Sequence, residues 1–350
     1  MKTLKLPTSL PQFQKFFPDD KSCAAYLEAV RWSEGFVCPA CKLQGEPYRF
    51  VMRSSIVLRC RACQKDTSLT AGTVMQASHT PLTTWFWGAY LMATQTPGMS
   101  AVQFQRQLGL TRYETAYTIL HKLRSGMVRP NRDKIGSEHP VEIDECNVGG
   151  ATRGEGSGVH HMTTVIGAVE VRTKKPPEDP EGKSVKIKYK NGKSKAEEKK
   201  TYAGRLRLQV IPDRCMDTLT NFVRENVASS ATILSDGWQG YNELPELGYK
   251  HKPLVLAGDP NKAEAHLPMI HRVFSNLKTW ILGTHHGRIE PQHLQAYLNE
   301  YVFRFNRRFY PMNAFNSVLG LAAKSVSPTY EQLYSGAWQH PGSAANIEFV

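Results

Sequence analysis

No stretch of this 350-residue chain approaches the roughly 18 consecutive apolar residues that a membrane-spanning helix needs. Nor does the chain open on the basic, apolar and small-residue succession of a secretory signal. Both absences point to a cytoplasmic protein with no membrane partner. Cysteine is sparse and unevenly placed. Of seven thiols, four form two close pairs, while Cys23, Cys146 and Cys215 are scattered. That distribution excludes a disulfide framework, and in a reducing compartment the pairs point to metal. No fixed-period repeat runs through the chain, which excludes a solenoid. Acidic side chains are outnumbered, 31 Asp and Glu against 44 Lys and Arg, for a net charge of +13. Such an excess favours polyanions, because each phosphate neutralised releases condensed counterions. The alternative is that basicity only keeps the protein soluble. Part of the excess is local, since residues 172–200 hold 11 basic and 5 acidic side chains.

What is present falls into four zones. Residues 1–80 carry the cysteine pairs among short alternating stretches. Residues 81–137 read as helices, at 83–93 and then 100–127. Residues 138–310 alternate strand and helix signals. Residues 311–350, where Gly, Pro and Ser thicken, read as a C-terminal tail whose last twenty residues are weakly tethered. Within the third zone strands are expected at 140–148, 163–171, 204–211, 231–236 and 251–256. Helices are expected at 216–227, 265–282 and 291–309. Three consecutive strands followed by alternating helix and strand suit a mixed α/β sheet covered by helices. The basic segment 172–200 has turn signals and no apolar face, so it reads as a hairpin insertion or a loop.

Cys38-Pro39-Ala40-Cys41 and Cys60-Arg61-Ala62-Cys63 make two CxxC pairs eighteen residues apart. Each pair suits a knuckle turn that aims two thiolates at one point. Two such turns complete a tetrahedral shell with no open position, so the expected metal is a structural Zn²⁺ rather than a catalytic one. Redox chemistry or coincidental burial are the weaker readings of the same residues.

Further along, residues 100–107, Leu108-Gly109-Leu110 and residues 111–126 suggest a helix-turn-helix. Thr111 with Glu114 suggests a capping box for the second helix. Ala116, Ile119, Leu120 and Leu123 form its buried stripe. Arg112, Tyr113, Thr115, Thr118, Lys122 and Arg124 are then left outward, as in a helix that enters a DNA groove. Two packed helices with a solvated basic face would read the same way.

Asp144 lies within a strand, in Val-Glu-Ile-Asp-Glu, and Asp236 ends another, in Ile-Leu-Ser-Asp-Gly-Trp. Two carboxylates from neighbouring strands would form an oxygen-rich site for the paired divalent cations of phosphodiester chemistry. Near the C-terminal side, Arg304, Arg307 and Arg308 stand among Phe303, Phe305, Phe309 and Tyr310. The expectation is rings inward and guanidiniums outward, facing a DNA backbone.

Over residues 18–308 the chain resembles the insertion-sequence transposases that join an N-terminal zinc ribbon to an ISXO-type DDE domain. The likeness rests on Phe36-Val37-Cys38-Pro39, on Asp236-Gly237-Trp238-Gln239-Gly240-Tyr241, and on the run from Leu298 to Arg308. It implies an RNase H-like fold and a DNA transposase that needs Mg²⁺ or Mn²⁺. It also implies double-stranded DNA partners, both terminal inverted repeats and target, and a homodimer or larger assembly at a prokaryotic nucleoid. Asp144 and Asp236 match the first two metal ligands. At the third the chain departs, for counting back from Ser275-Asn276-Leu277-Lys278 puts His271 where the family carries Glu. Lys278, two helical turns on, would then stand near the scissile phosphate. Asn276 and Glu142 compete for the third position, Glu142 because it shares the strand face of Asp144. A rival reading is a zinc-ribbon DNA-binding protein, derived from a transposase, that does not cut.

Overall fold

A computed structural model describes residues 6–52, 55–129, 132–149, 162–173, 201–254, 266–287, 289–323, 325 and 327–340. The basic segment expected as an insertion lies, from residue 174 to 200, outside the described residues. Contacts divide the chain into two compact units. One comprises the described parts of Met1–Arg132, Gly149–His161 and Lys278–Val350, the other those of Asp133–Val148 and Met162–Leu277. Among the described residues no helix is long and apolar enough to cross a membrane.

In chain order the first unit opens with α1 (Leu10–Phe16) and α2 (Asp20–Arg31), followed by an antiparallel sheet of β1 (Tyr48–Met52), β2 (Ser55–Arg59) and β3 (Asp66–Ser68). Ser9 and Asp19 cap the two helices by accepting backbone N–H groups of Gln12 and Ser22, as short polar side chains do at a helix start. Then come α3 (Leu82–Thr94), α4 (Ala101–Gln107) and α5 (Tyr113–Ser125). Gly109 makes the turn between the last two at φ +61°, a conformation that costs glycine little. The second helix starts at Tyr113, with an extended Arg112 as its cap and no side-chain cap bond. Thr111 therefore falls one residue too early, and the expected capping box does not form. The expected stripe of Ala116, Ile119, Leu120 and Leu123 is buried throughout.

The second unit is a five-stranded mixed sheet of β4 (Val141–Val148), β5 (Thr163–Thr173), β6 (Thr201–Val210), β7 (Thr232–Asp236) and β8 (Lys250–Leu254), in the order β6-β5-β4-β7-β8. The first three pair antiparallel, while β4 with β7 and β7 with β8 run parallel. This is the mixed sheet expected from the strand signals, and the resemblance implies its RNase H-like fold. Helix α6 (Met216–Asn226) buries Leu219, Phe222 and Val223 against Val141, Ile143, Ile166 and Ile233 on one face. Helix α7 (Pro268–His285) starts in this unit and covers the other face through Ile270 and Phe274, and its last turns from Lys278 belong to the first unit.

The first unit resumes with α8 (Pro291–Asn306), α9 (Pro311–Ala322) and α10 (Tyr330–Tyr334). Residues from 311 on, expected as a tail, instead begin with a helix of the core. Phe315 of α9 packs edge-on and tilted against Phe13, Phe17, Phe86 and Tyr90, and Asn316 accepts the Tyr26 hydroxyl at 2.8 Å. Aromatic side chains of that size contribute more burial than a short Gly- and Ser-rich sequence suggests.

Candidate active site

The two CxxC pairs build one centre by the same backbone geometry used twice. Cys38 N–H donates to Leu43 O and its carbonyl accepts from Lys42 N–H; Cys60 does the same with Lys65 and Gln64. Lys42 and Gln64 close each turn at φ +63° and +60°. The turns aim N–H groups at the first thiol of each pair. Those of Cys41 and Ala40 pull Cys38 down to about 6, and those of Cys63 and Ala62 pull Cys60 down. Cys38 and Cys63 sulfurs lie 3.6 Å apart, and Cys41 and Cys60 sulfurs 3.7 Å. A tetrahedron of 2.3 Å zinc–sulfur bonds has edges of about 3.8 Å. The four thiols therefore fit a structural Zn²⁺.

In the second unit the strand register brings the two aspartates together. Val141 pairs with Ile233 and Glu142 with Leu234. The pairing ends there, and the same offset carried two residues further would set Asp144 level with Asp236, on adjoining parallel strands whose axes run about 4.8 Å apart. Burial raises the Asp236 carboxyl above its usual range, the N–H of Trp238 opposes that, and the charge of Asp144 adds to the rise. Two such carboxylates repel each other, and a divalent cation between them relieves the repulsion.

His271, in the first turn of α7, places its Nε2 3.1 Å from Asp144 Oδ2. Two features of the sheet hold it there. Glu142 is 2% exposed, and its Oε2 accepts the backbone N–H groups of Met269 and Ile270, each at 2.8 Å, so a carboxylate caps the start of α7. Gly167 is the β5 partner of Asp144. A Cβ there would stand 2.9 Å from Ile270, Phe274 and Leu208 at once, so the missing side chain lets α7 approach beside Asp144.

Of the three competitors for third ligand, His271 is thus the one brought to Asp144. Glu142 is occupied by the helix start. Asn276 is exposed, five residues beyond His271 and about 140° around the helix from it. Lys278 is exposed and about 20° from the azimuth of His271. The grouping is looser than the ribbon centre. Among the described residues, the four cysteines are the only group of three or more His, Cys, Asp or Glu side chains whose ligand atoms all lie within 4.8 Å of one another.

Several residues near the aspartates were not singled out from sequence. Ser235 Oγ lies 2.8 Å from His251 Nε2 and donates to Asp236 O, tying β8 to the end of β7. Glu145, buried and raised in pKa by that burial, receives Tyr241 OH and the guanidinium of Arg214, the latter at 2.8 and 2.5 Å. Only Gly167 had a legible signal, a glycine inside an apolar strand, which often marks a close backbone approach.

The expected DNA-facing cations divide. Arg112, Tyr113 and Arg308 are exposed, the last stacked on Phe305 and Phe309. Lys122 is instead buried and donates to Ser327 at 2.8 Å, and Arg124 is buried in an ion pair with Glu300 at 2.8 Å. Arg304 also pairs with Glu300 and reaches the carbonyls of Gln95, Thr96 and Pro97. Arg307 lies over Phe303, where burial lowers it to about 10. Phe309 and Tyr310, expected inward, are 62% and 67% exposed. The inversion has one cause. Residues after 291 fold over α5, and a single helix's pattern does not reveal partners so distant in sequence.

Residues 137–306 match the ISXO2-like transposase domain, and residues 18–66 the transposase zinc-ribbon domain. A relative from Halobacterium salinarum, described as an uncharacterized protein in transposable element ISH50, is 23% identical over 303 residues. The alignment covers 83% of this chain and 92% of that relative.

Proposed function

We propose, from its matches to a transposase zinc ribbon and an ISXO2-like transposase domain, that this chain is the transposase of an insertion sequence, cutting element ends and joining them to target DNA in a metal-dependent reaction. The observation that carries the chemistry is Asp144, in contact with His271 at 3.1 Å and close enough to Asp236 for its charge to raise that carboxyl.

Asp144 and Asp236 offer carboxylate oxygens from the adjoining interior strands β4 and β7, and His271 offers a nitrogen held in register by Glu142 and Gly167. Divalent cations held by these three side chains would supply Lewis acidity for a nucleophilic water and counter-charge for the phosphoryl oxygens. In the first step a water oxygen bonds to phosphorus and the bond to the bridging 3′ oxygen breaks, freeing a 3′ hydroxyl. In the second the oxygen of that hydroxyl bonds to a phosphorus of target DNA, the bond from that phosphorus to its bridging 3′ oxygen breaks, and the proton passes to the departing oxygen. The imidazole biases the site toward Mn²⁺ over the harder Mg²⁺. Lys278 is the cation for the scissile phosphate. The ribbon, Arg112, Tyr113 and Arg308 hold terminal repeats, two ends to a dimer or larger assembly, in the cytoplasm where the nucleoid lies.

Metal-dependent nicking of a supercoiled plasmid carrying the DNA that flanks the gene tests this reading. Nicking with Mn²⁺ by the wild type is expected. A protein that binds this DNA but nicks with neither Mn²⁺ nor Mg²⁺ would be the non-cutting binder instead. Nicking by His271→Glu alone would make it a silenced relative.

A further inference from the structure

Beside Asp236 an indole and a guanidinium are fixed at the surface by contacts that the cutting reaction does not use. Trp238 is 44% exposed, unusual for the largest side chain, and the Arg214 side chain is 44% exposed as well. The Arg214 guanidinium lies 5.0 Å from the centroid of the Trp238 ring. Indole Nε1–H donates to Arg214 O at 3.2 Å, and the backbone N–H of Trp238 donates to Asp236 Oδ1 at 3.2 Å. Gly240 gives the ring its shelf, since a Cβ there would stand 3.0 Å from both Cδ1 and Nε1 of the indole. Behind the pair, Glu145 grips Arg214 with two bonds to one oxygen and takes the Tyr241 hydroxyl on the other. Two flat groups are thus locked in orientation next to a metal-binding carboxylate while much of their surface faces solvent.

A plate of that composition matches a nucleobase. Every base has a π-face that stacks on indole, and a guanidinium beside the ring adds cation–π attraction and draws the phosphate strand. A base inside a duplex has both faces covered by its neighbours, so only an unstacked base can use the plate. We infer that Trp238 and Arg214 form a stacking platform for one unpaired base flanking the cut, so that the protein acts on a locally opened DNA end. The inference rests on the cutting reaction proposed above. Glu145 and Tyr241 are positioning residues, acting only through Arg214.

The test compares cleavage by wild type and Trp238→Ala on two sets of duplexes carrying the flanking DNA. In one set every base is paired. In the other an abasic site faces one base, at each of three positions on either side of the cut. Trp238→Ala is expected to slow cleavage of paired ends by about tenfold or more, the scale of one lost base stack. At one position the abasic partner is expected to restore most of that loss, because the base no longer has to be unpaired. Trp238→Phe keeps a ring and is expected to retain most activity, and thermal melting of each variant monitors folding. Equal loss on all duplexes, or no loss on any, overturns the platform. Wild type that cuts none of them overturns the cutting reaction itself, and this inference with it.

Discussion

Glu142 Oε2 accepts the backbone N–H of Ile270 at 2.8 Å, one residue before the imidazole that meets Asp144. A carboxylate that sequence offers as a metal ligand is therefore the anchor for the helix that presents another. Glu142→Gln keeps the shape and removes the charge at the helix start, so α7 is expected to lose about 1–3 kcal/mol of anchoring. Cleavage is expected to fall while the amount of catalytic metal bound at saturation stays unchanged. Isothermal titration with Mn²⁺ checks this. A lost equivalent would make Glu142 a ligand.

Gly167→Val is expected to push α7 off the sheet, because even a Cβ at this position meets three side-chain atoms at 2.9 Å. Overpacking of this kind costs about 1–3 kcal/mol. The expected signature is lost cleavage with retained DNA binding, read by nicking and gel-shift assays on the same preparation.

The strands, the helices and the ribbon were legible because their signals are local. Alternation marks β4 to β7, and two CxxC spacings mark the centre that their sulfurs form. The convergence of Asp144 with Asp236 follows from a parallel pairing that no local pattern states, and His271 came from resemblance alone. What misled was α5. Its stripe of Ala116, Ile119, Leu120 and Leu123 is buried as its spacing predicts, but the same spacing puts Lys122 and Arg124 toward solvent because their partners, Ser327 and Glu300, lie 205 and 176 residues away. Long charged side chains that find a distant partner defeat single-helix reasoning.

That burial predicts a division of labour among the arginines. Arg124→Ala leaves Glu300, 1% exposed in its side chain, with Arg304 as its remaining cation, and is expected to cost up to about 3 kcal/mol. Arg308→Ala, at an exposed stack, is expected to leave the melting temperature nearly unchanged and to weaken DNA binding. Thermal melting and salt-dependent gel shifts on the two variants separate these roles, since a lost phosphate contact lowers the salt slope.

Acid should unfold the first unit early. Burial lowers His285 and His340 to about 3, and it holds His121 and His293 below their usual range. Their folded pKa values lie below the unfolded value of about 6.5, so above that pH they contribute nothing to the slope. Between about 6.5 and 3 the unfolded chain takes protons that the folded chain refuses, and stability falls. The charge of Arg124 adds to the lowering at all four, His286 adds to it at His285, and Glu290 opposes it at His293. Melting temperature measured from pH 7 to pH 4 is expected to drop steadily, and His285→Phe is expected to flatten the drop.

Removal of zinc should cost the ribbon its fold. Cys38→Ser and Cys60→Ser are each expected to abolish a single equivalent of tightly bound Zn²⁺, measured by elemental analysis, while leaving Mn²⁺ binding in the second unit intact. Retained zinc in both variants would show that the two knuckles do not share one ion.

The most direct test of the account is nicking by Asp144→Asn in Mn²⁺. The substitution keeps the side chain's size and its place opposite Gly167 but removes a negative charge from the aspartate pair. Loss of nicking by a hundredfold or more, with DNA binding preserved, is the expected result. Nicking at the wild-type rate would contradict the assignment of Asp144 and Asp236 as the metal-holding pair.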